Sequence, residues 1–163
     1  MENTLEAQTK VWELIKDIRI AMFVTQDDSG KLSARPMSAV NTEFSGALWF
    51  MTAGDSAKLD EVRASRNVLV AYAEPKDQNY ISARGKAQIV TDKAKVKELW
   101  SEAARVWFPK GPEESDIALI KVDVESAEYW DAPNATMVYA YGYLKARMTG
   151  EPPKLGETKK VKF

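Results

Sequence analysis

The feature that most constrains the fold is the alternation of residue types in "NYISARGKAQIV", residues 79–90. One side of the extended chain would carry the small and apolar residues Ile81, Ala83, Gly85, Ala87 and Ile89. The other side would carry mostly polar and charged residues. A period of two residues is typical of an antiparallel strand with one buried and one solvated face. The sequence therefore predicts a sheet that contributes one face to a core.

Turn signals and local periodicity predict the remaining elements. Turn residues at Asp27–Gly30 join the two strands of one hairpin. The predicted strands lie in the hairpin "IAMFVTQDDSGKLSARPMSAV", in "ALWFMT", "RNVLVAYAEP" and residues 79–90, and in "IALIKVDVESAEYW" and "TMVYAYGYLKARM". Apolar residues at helical spacing predict helices over Thr4–Ile18, from Ser56, and over Asp92–Arg105. About seven short strands and three helices predict a mainly β fold, a small antiparallel barrel with helical caps.

Length and charge limit the domain count and the partners. The 163 residues fit a single domain over 1–163, in which about residues 149–163 form an extended polar C-terminal tail. The 23 basic and 24 acidic residues give a net charge of -1, so we expect no nucleic-acid partner. No apolar run reaches the roughly 18 to 20 residues that span a bilayer, and "MENTLEAQTK" has no apolar signal-peptide core. We expect a cytoplasmic protein with no membrane partner.

The chain contains no histidine and no cysteine. The commonest general base and the commonest transition-metal ligands are therefore missing, which excludes Ser-His-Asp hydrolysis and imidazole or thiolate metal sites. We expect no bound metal. Any redox chemistry near neutral pH is then expected to come from a bound cofactor, which carries its own reactive atoms.

An anion-binding arrangement is indicated by residues 35–58. Arg35 and Met37 are two apart in a predicted strand, so both project to one face. Ser56 and Lys58 lie in the first turn of a predicted helix, where free backbone N–H groups and the helix dipole favour an anion. The alternative explanation is ordinary: Ser56 would cap the helix, and Lys58 would be a solvated surface residue.

These residues belong to a series of motifs, which is Arg-x-Met, "LWFMT", Ser-x-Lys at a helix start and "ISARGKAQIV", in that order. The series resembles the flavin-binding split-barrel superfamily typified by pyridoxamine 5'-phosphate oxidase. The bacterial general stress protein branch is the closer resemblance, through the segments "WFPKGP", "AEYWDAP" and "TGEPPKLGE". The resemblance extends over nearly the whole chain.

The resemblance implies a six-stranded antiparallel Greek-key split barrel that forms a homodimer. It also implies FMN bound at the subunit interface, with FAD as an alternative cofactor. Carried over by residue, it implies that Arg35 and Lys58 bind the FMN phosphate and that Ser56 is a hydroxyl donor. The planar fork of an arginine and the point charge of a lysine suit a phosphate dianion.

The resemblance also implies contacts to the rest of the flavin. The backbone around Met37 and Ser38 would lie along the isoalloxazine ring, and Met51 and Thr52 would touch the ribityl chain and the ring edge. Trp130 would reach the flavin from the partner subunit. For Met37 and Met51 the alternative is plain core packing. For Trp130 it is a role as an interface anchor alone, since Trp is enriched at interfaces.

The sequence departs from the true oxidase where that enzyme binds the phosphate of its vitamin B6 substrate. The positions that match its lysine and its Arg-x-His motif are Val40 and the neutral run 135–138. A substrate phosphate would meet no cation there, and burying its negative charge without a positive partner would cost too much free energy. The sequence therefore argues against pyridoxamine 5'-phosphate oxidase activity.

Three functions are open from the sequence, and it assigns no catalytic residue. The first is an FMN-dependent oxidoreductase of unknown substrate, because a flavin carries its own reactive atoms. The second is a flavin-binding or redox-sensing stress protein without turnover. The third is a barrel adapted to a deazaflavin or to haem, although haem would need tyrosine ligation here. The first two use the same residues, so the sequence separates them poorly.

Overall fold

One antiparallel sheet of seven strands dominates the computed structural model, which describes residues 4–131, 135–152 and 157–163. The strands are β1 (Ala21–Gln26), β2 (Leu32–Met37), β3 (Ala47–Ala53), β4 (Asn67–Glu74), β5 (Asn79–Val90), β6 (Ile117–Asp131) and β7 (Glu157–Lys162). The helices are α1 (Thr4–Ile15), α2 (Ala57–Ala64), α3 (Lys93–Leu99), α4 (Gly111–Glu114) and α5 (Ala135–Thr149), with a 3₁₀-helix at Glu102–Val106.

The strand order β2-β1-β4-β5-β6-β3 places the two longest strands, β5 and β6, side by side. Their pairing extends from Tyr80 opposite Trp130 to Val90 opposite Leu119. The other edge of β6 is shared, because β3 pairs with residues 117–123 and β7 pairs with residues 126–131. Along this edge, β6 therefore pairs first with β3 and then with β7, whereas β5 stays paired along its other edge.

A β-bulge lies at the level where β6 changes its neighbour. The pairing register of β5 with β6 shifts between Arg84 and Gly85. A Cβ on Gly85 would lie 2.2 Å from the carbonyl oxygen of Asp123, so only a glycine lets the two strands approach this closely. Bulges bend and twist a sheet locally, and the sheet is expected to change direction here.

A bridge between the two ends of the strand order curls the sheet into a split barrel. Ala39, just beyond β2, pairs with Phe50 of β3. Beside this pair, the Val40 N–H donates to the Trp49 carbonyl oxygen at 2.8 Å. The six-strand path and its closure confirm the predicted mainly β, antiparallel Greek-key split barrel.

The barrel core is formed by the inward faces of the strands together with α1. Phe23 of β1 and Phe50 of β3 are fully buried and meet edge to face, with ring centroids 5.2 Å apart. Val11 and Ile15 pack into the same cluster, so the predicted apolar stripe of α1 is confirmed, although the helix ends before the predicted Ile18. Burying side chains of this size contributes about 1.5 to 3 kcal/mol each.

A second apolar cluster covers the outer face of β3 and β6. Val96 of α3 packs there against Ile117 and Leu119. The side chains that join them are partly buried and include Trp49, Met51, Trp100 and Phe108. The two faces of β3 therefore contribute to two different clusters.

The prediction of one continuous helix over Asp92–Arg105 is wrong. α3 ends at Leu99, Trp100 and Ser101 have extended backbones, and the 3₁₀-helix begins at Glu102. A serine followed by an acidic residue is a helix-start signal, which explains the new beginning after Ser101. The break lets the Trp100 side chain pack into the second cluster.

The prediction of a closing strand at Thr136–Met148 is also wrong, because this segment belongs to α5. Its Val and Tyr residues favoured a strand, whereas "LKARM" at 144–148 consists of strong helix formers. The last strand is β7, from the tail segment, and its Val161 is buried. Across the described ranges, no helix has both the length and the apolar character that crossing a bilayer requires.

Candidate functional site

Lys58, in the first turn of α2, has hydroxyl groups as its hydrogen-bond partners. Its Nζ donates to Oγ1 of Thr52 at 2.8 Å and to Oγ of Ser56 at 2.7 Å. Thr52 lies on the inward face of β3 and is buried, whereas Lys58 and Ser56 are half-buried. In the described part of the chain, no carboxylate lies within ion-pair distance of this ammonium group.

Arg35, on β2, has two side-chain partners that the sequence did not indicate. Its Nη1 donates to Oγ1 of Thr25 on β1, and its Nη2 donates to Oε2 of Glu61 on α2, each at 2.5 Å. Thr25 in turn donates to the same Glu61 oxygen. The side chains of Arg35 and Glu61 are only 21% and 23% exposed, so water and salt screen this ion pair less than a surface pair.

These side chains form one electrostatic unit. We call it the cation cluster, and its members are Thr25, Arg35, Thr52, Ser56, Lys58 and Glu61. Burial and then the nearby Arg35 guanidinium lower the pKa of Lys58, and Glu61 offsets part of this effect. Two positive groups and one negative group leave the cluster with a net charge of about +1.

The local fold explains why these side chains meet. Alternation along β2 puts Arg35 and Met37 on one face, as predicted. At the corner between β3 and α2, the Gly54 N–H donates to the Asp116 carbonyl oxygen at 3.1 Å. A Cβ on Gly54 would lie 2.4 Å from the Asp116 carboxylate, so a larger residue at this corner would require the Asp116 side chain to move. α2 thus begins directly after β3, and Lys58 reaches Thr52.

Ser56 occupies the N-cap position of α2 but does not act as a side-chain cap. Its side chain makes no capping hydrogen bond to the helix, and its Oγ accepts from Lys58 instead. A serine at this position usually bonds a backbone N–H of the first helical turn. The first turn of α2 therefore lacks the usual side-chain partner.

The other predicted contact residues of this chain lie around the cluster. Met37 is buried in the barrel core, and Ser38, the next residue, is exposed. Met51 lies in the second apolar cluster, on the face of β3 opposite to Thr52. The structure therefore brings together Arg35, Thr52, Ser56 and Lys58, whereas the side chains of Met37 and Met51 point into two different cores.

Trp130 lies far from the cation cluster within one chain. Thr52 pairs with Ala118 near the beginning of β6, and Trp130 lies about 40 Å further along that strand. Its side chain is on the outer face of the sheet, 38% exposed, opposite Tyr80 of β5 and Thr158 of β7. One chain alone does not bring Trp130 to the cluster.

Sequence reasoning missed Thr25 and Glu61. Each is distant from Arg35 along the chain, and only the pairing of β1 with β2 and the packing of α2 against β1 bring them together. A local signal did exist for Glu61, because residues three apart on a helix are neighbours and Glu61 follows Lys58 at that spacing.

A cleft of about 410 Å³ lies beside the same helix. Its lining includes Arg63 of α2 and Lys93, together with Glu114 and Asp116, so cations and carboxylates are both present. None of the residues of the cation cluster lines it. The cleft and the cluster are two separate features of the region around α2.

Comparison with known sequences places the chain in a family. A sequence profile of the family described as "Pyridoxamine 5'-phosphate oxidase like" matches residues 6–154 of the 163. The chain belongs to this family. The part that matches the pyridoxamine 5'-phosphate oxidase like family contains the whole cation cluster and Trp130, and it ends before β7.

Similar proteins come from bacteria and a fungus. A protein described as general stress protein 26 from Jannaschia sp. CCS1 has a TM-score of 0.77 at 27% identity, over 98% of this chain and 99% of its own. The general stress FMN/FAD binding protein from Xanthomonas citri has a TM-score of 0.67 at 29% identity, over 78% of this chain and 89% of its own. Protein bli-3 of Neurospora crassa is 24% identical over 153 residues, which are 88% of this chain and 73% of bli-3. The Jannaschia structure extends the similarity beyond the family match.

We predict that the ion pair between Arg35 and Glu61 makes stability depend on pH. The hydrogen bond from Thr25, followed by Arg35, lowers the pKa of Glu61 below 4.5, against burial and the Asp27 charge. A carboxyl group with a lowered pKa stabilises the fold above its unfolded pKa, and the contribution is lost as the pH falls through the folded value. At about pH 6, Glu61→Gln should reduce the free energy of unfolding by about 1 to 3 kcal/mol.

Urea unfolding at about pH 6 and about pH 3 measures this effect. The deficit of Glu61→Gln should shrink at the lower pH, because the stabilisation from the wild-type carboxylate declines once the pH falls below the unfolded pKa of the group. Asp60→Asn is the matched control, because Asp60 is on the same helix and its exposed side chain pairs only with Arg63 among the ion pairs of the described residues. An equal deficit at both pH values would contradict the prediction.

Proposed function

We propose that this protein binds a flavin nucleotide, FMN with FAD as an alternative, and that the flavin phosphate binds at the cation cluster. The observation that carries the proposal is Lys58, a half-buried ammonium group beside Arg35 whose hydrogen-bond partners are the hydroxyls of Thr52 and Ser56. The nearby Arg35 charge destabilises the Lys58 ammonium group, and a bound dianion would attract both cations and offset their repulsion.

The donors of the cluster suit phosphate oxygens. The hydroxyl oxygens of Thr52 and Ser56 accept hydrogen bonds from Lys58, so their own O–H groups are left to donate to an anion. Lys58 has a third N–H for the same purpose, and Arg35 uses only two of its five N–H groups on Thr25 and Glu61. A phosphate oxygen accepts charge-assisted hydrogen bonds from groups of this kind.

The family and one relative support a flavin over other phosphate compounds. The Xanthomonas citri protein, 29% identical over 78% of this chain, is described as FMN/FAD binding. We infer that this chain uses its cluster in the same way, as a site for the phosphate end of the nucleotide.

We propose contacts to the rest of the flavin from the residues around the cluster. Thr52 would contact the ribityl chain, because its hydroxyl is hydrogen-bonded to Lys58, which would bind the phosphate. The backbone of the exposed residue Ser38 would lie along the ring, next to the buried Met37. Met51 points away into the second cluster, so it would contact the flavin through its backbone.

We further propose a homodimer in which the outer face of the sheet meets a second copy. Cross-strand pairs there place Pro36 beside Met22 and Ala34 beside Val24, and Leu32 is 68% exposed next to them. Trp130 lies on this same outer face. Contiguous exposed apolar side chains mark interaction sites, and a second copy would bring its own Trp130 towards the flavin that the first copy binds.

With a flavin bound, the protein would act as an oxidoreductase of unidentified substrate. The flavin supplies hydride and electron transfer, and the residues of the chain bind and orient it. No histidine is available in the sequence to act as a general base. Val40, where the resemblance places a lysine of the true oxidase, offers no cation to a substrate phosphate, so we do not propose pyridoxamine 5'-phosphate as the substrate.

Removal of the cluster cations should weaken flavin binding. We expect Lys58→Ala to raise the FMN dissociation constant by roughly 10- to 100-fold, since a hydrogen bond to a charged group contributes about 1.5 to 3 kcal/mol. Arg35→Ala combined with Lys58→Ala should abolish flavin retention during purification. Quenching of flavin fluorescence on titration measures the dissociation constants.

The control for that experiment is Arg63→Ala. It removes the same charge from the same helix, but Arg63 is exposed, pairs with Asp60 and lines the separate cleft. It should leave FMN binding unchanged. If Arg63→Ala lost the flavin and the double variant retained it at full stoichiometry, the phosphate assignment would be wrong.

Removal of the outer-face tryptophan should affect the dimer and its ligand. We expect Trp130→Ala to weaken flavin binding, dimerisation or both, because a large apolar side chain would be lost from the interface. Sedimentation velocity with and without FMN measures both properties. Trp107→Ala is the control, since Trp107 is 80% exposed in the loop before α4. A Trp130→Ala monomer with stoichiometric FMN would refute the interface placement.

Reduction by nicotinamide nucleotides tests the oxidoreductase proposal. We expect the flavin-loaded protein to lose its yellow colour when NADH or NADPH is added without air, and to regain it when air is admitted. An absorption spectrum recorded through this cycle is the measurement. A bound flavin that neither donor reduces would favour the non-catalytic flavin-binding or redox-sensing protein.

A further inference from the structure

We propose that Glu61 competes with the ligand phosphate for Arg35. Its carboxylate holds the guanidinium in place, and its negative charge weakens the binding of the phosphate. The inference rests on the proposed flavin function, because it concerns the same cluster. The Glu61 carboxylate would then partly determine how much the phosphate group contributes to the affinity for the nucleotide.

The geometry shows Glu61 in direct contact with the arginine. Its Oε2 accepts from Nη2 of Arg35 at 2.5 Å and also accepts from the Thr25 hydroxyl. Nη1 of Arg35 is bonded to that same Thr25 hydroxyl. Thr25 is almost fully buried, so the Arg35 guanidinium is fixed on a rigid inner position of β1. Glu61 therefore occupies one side of the guanidinium that a phosphate could otherwise use.

The charge balance indicates that Glu61 opposes a dianion. With Glu61 ionised, the cluster carries about +1, whereas a phosphate monoester carries about −1.5 to −2 at pH 7. The other carboxylate that acts on Glu61 is Asp27, which bonds the Ser29 and Lys31 N–H groups of its own turn. A ligand phosphate would thus be under-compensated by the cluster as long as Glu61 keeps its charge.

The substitution Glu61→Gln separates the effect of the Glu61 charge from its effect on the position of the Arg35 guanidinium. The carbonyl oxygen of Gln can still accept from Arg35 and Thr25, so the guanidinium stays in place while the negative charge is lost. If Glu61 only positions Arg35, the Glu61→Gln variant should bind the phosphate as tightly as the wild type or more weakly. If Glu61 also competes with the phosphate, the variant should bind it more tightly than the wild type.

The test compares FMN with riboflavin, which has the same ring and no phosphate. Dissociation constants are measured by flavin fluorescence for the wild type, Glu61→Gln and the control Asp60→Asn, which removes an exposed charge from the neighbouring position of α2. We expect Glu61→Gln to bind FMN about tenfold more tightly, as expected for one charge removed a few ångströms from a dianion in a water-like dielectric. Riboflavin affinity should stay within about twofold of the wild type.

The outcomes separate this inference from the proposed function. Unchanged or weaker FMN binding by Glu61→Gln, or an equal gain for riboflavin, would overturn the role of Glu61 while flavin binding stands. A wild-type protein that binds neither ligand would overturn the proposed function and the inference with it. If Glu61→Gln does not fold, Glu61→Ala takes its place. Because Thr25 still accepts from Arg35 in that variant, it too should tighten FMN binding more than riboflavin binding.

Discussion

The pairing of β5 with β6 is the interaction on which the rest of the molecule depends. It joins the longest strands of the sheet from Tyr80 to Val90, and every other strand is attached to this pair directly or through the strands between them. β4, β1 and β2 follow on one side, and β3 and β7 share the free edge of β6 on the other. Because β3 is fixed in this way, α2 begins at a defined point beyond its end, and the cluster has a rigid base.

The cation cluster shows how a stable fold can hold an electrostatically unfavourable group. Lys58 is partly withdrawn from water beside another cation, which lowers its pKa, and its partners are neutral hydroxyls. Burying a charge without an opposite charge is costly, and groups with shifted pKa values cluster at functional sites. Glu61 relieves part of the cost through Arg35, at the price of reduced attraction for an anion.

The sequence predicted those parts of the molecule that local chemistry determines. The turn at Asp27–Gly30 was predictable because Asp27 binds nearby N–H groups and Gly30 has a positive φ of 83°. The segment 136–148 was mispredicted because its Val and Tyr residues and its helix formers favour different structures. In the cluster, Ser56 and Lys58 are neighbours in the chain and were identified from it. Glu61 binds Thr25 across 36 residues, and no local pattern specifies such a contact.

The bulge at Gly85 divides β6 into two parts with different tasks. The first part, paired with β3, belongs to the wall that encloses the core. The second part, paired with β7, presents Trp130 on its outer face and buries Ala127 and Tyr129 in the same core. Because both parts contribute buried side chains to one core, a change in the angle between them would require repacking inside the barrel. A larger residue at position 85 would therefore disturb both the wall beside β3 and the placement of Trp130.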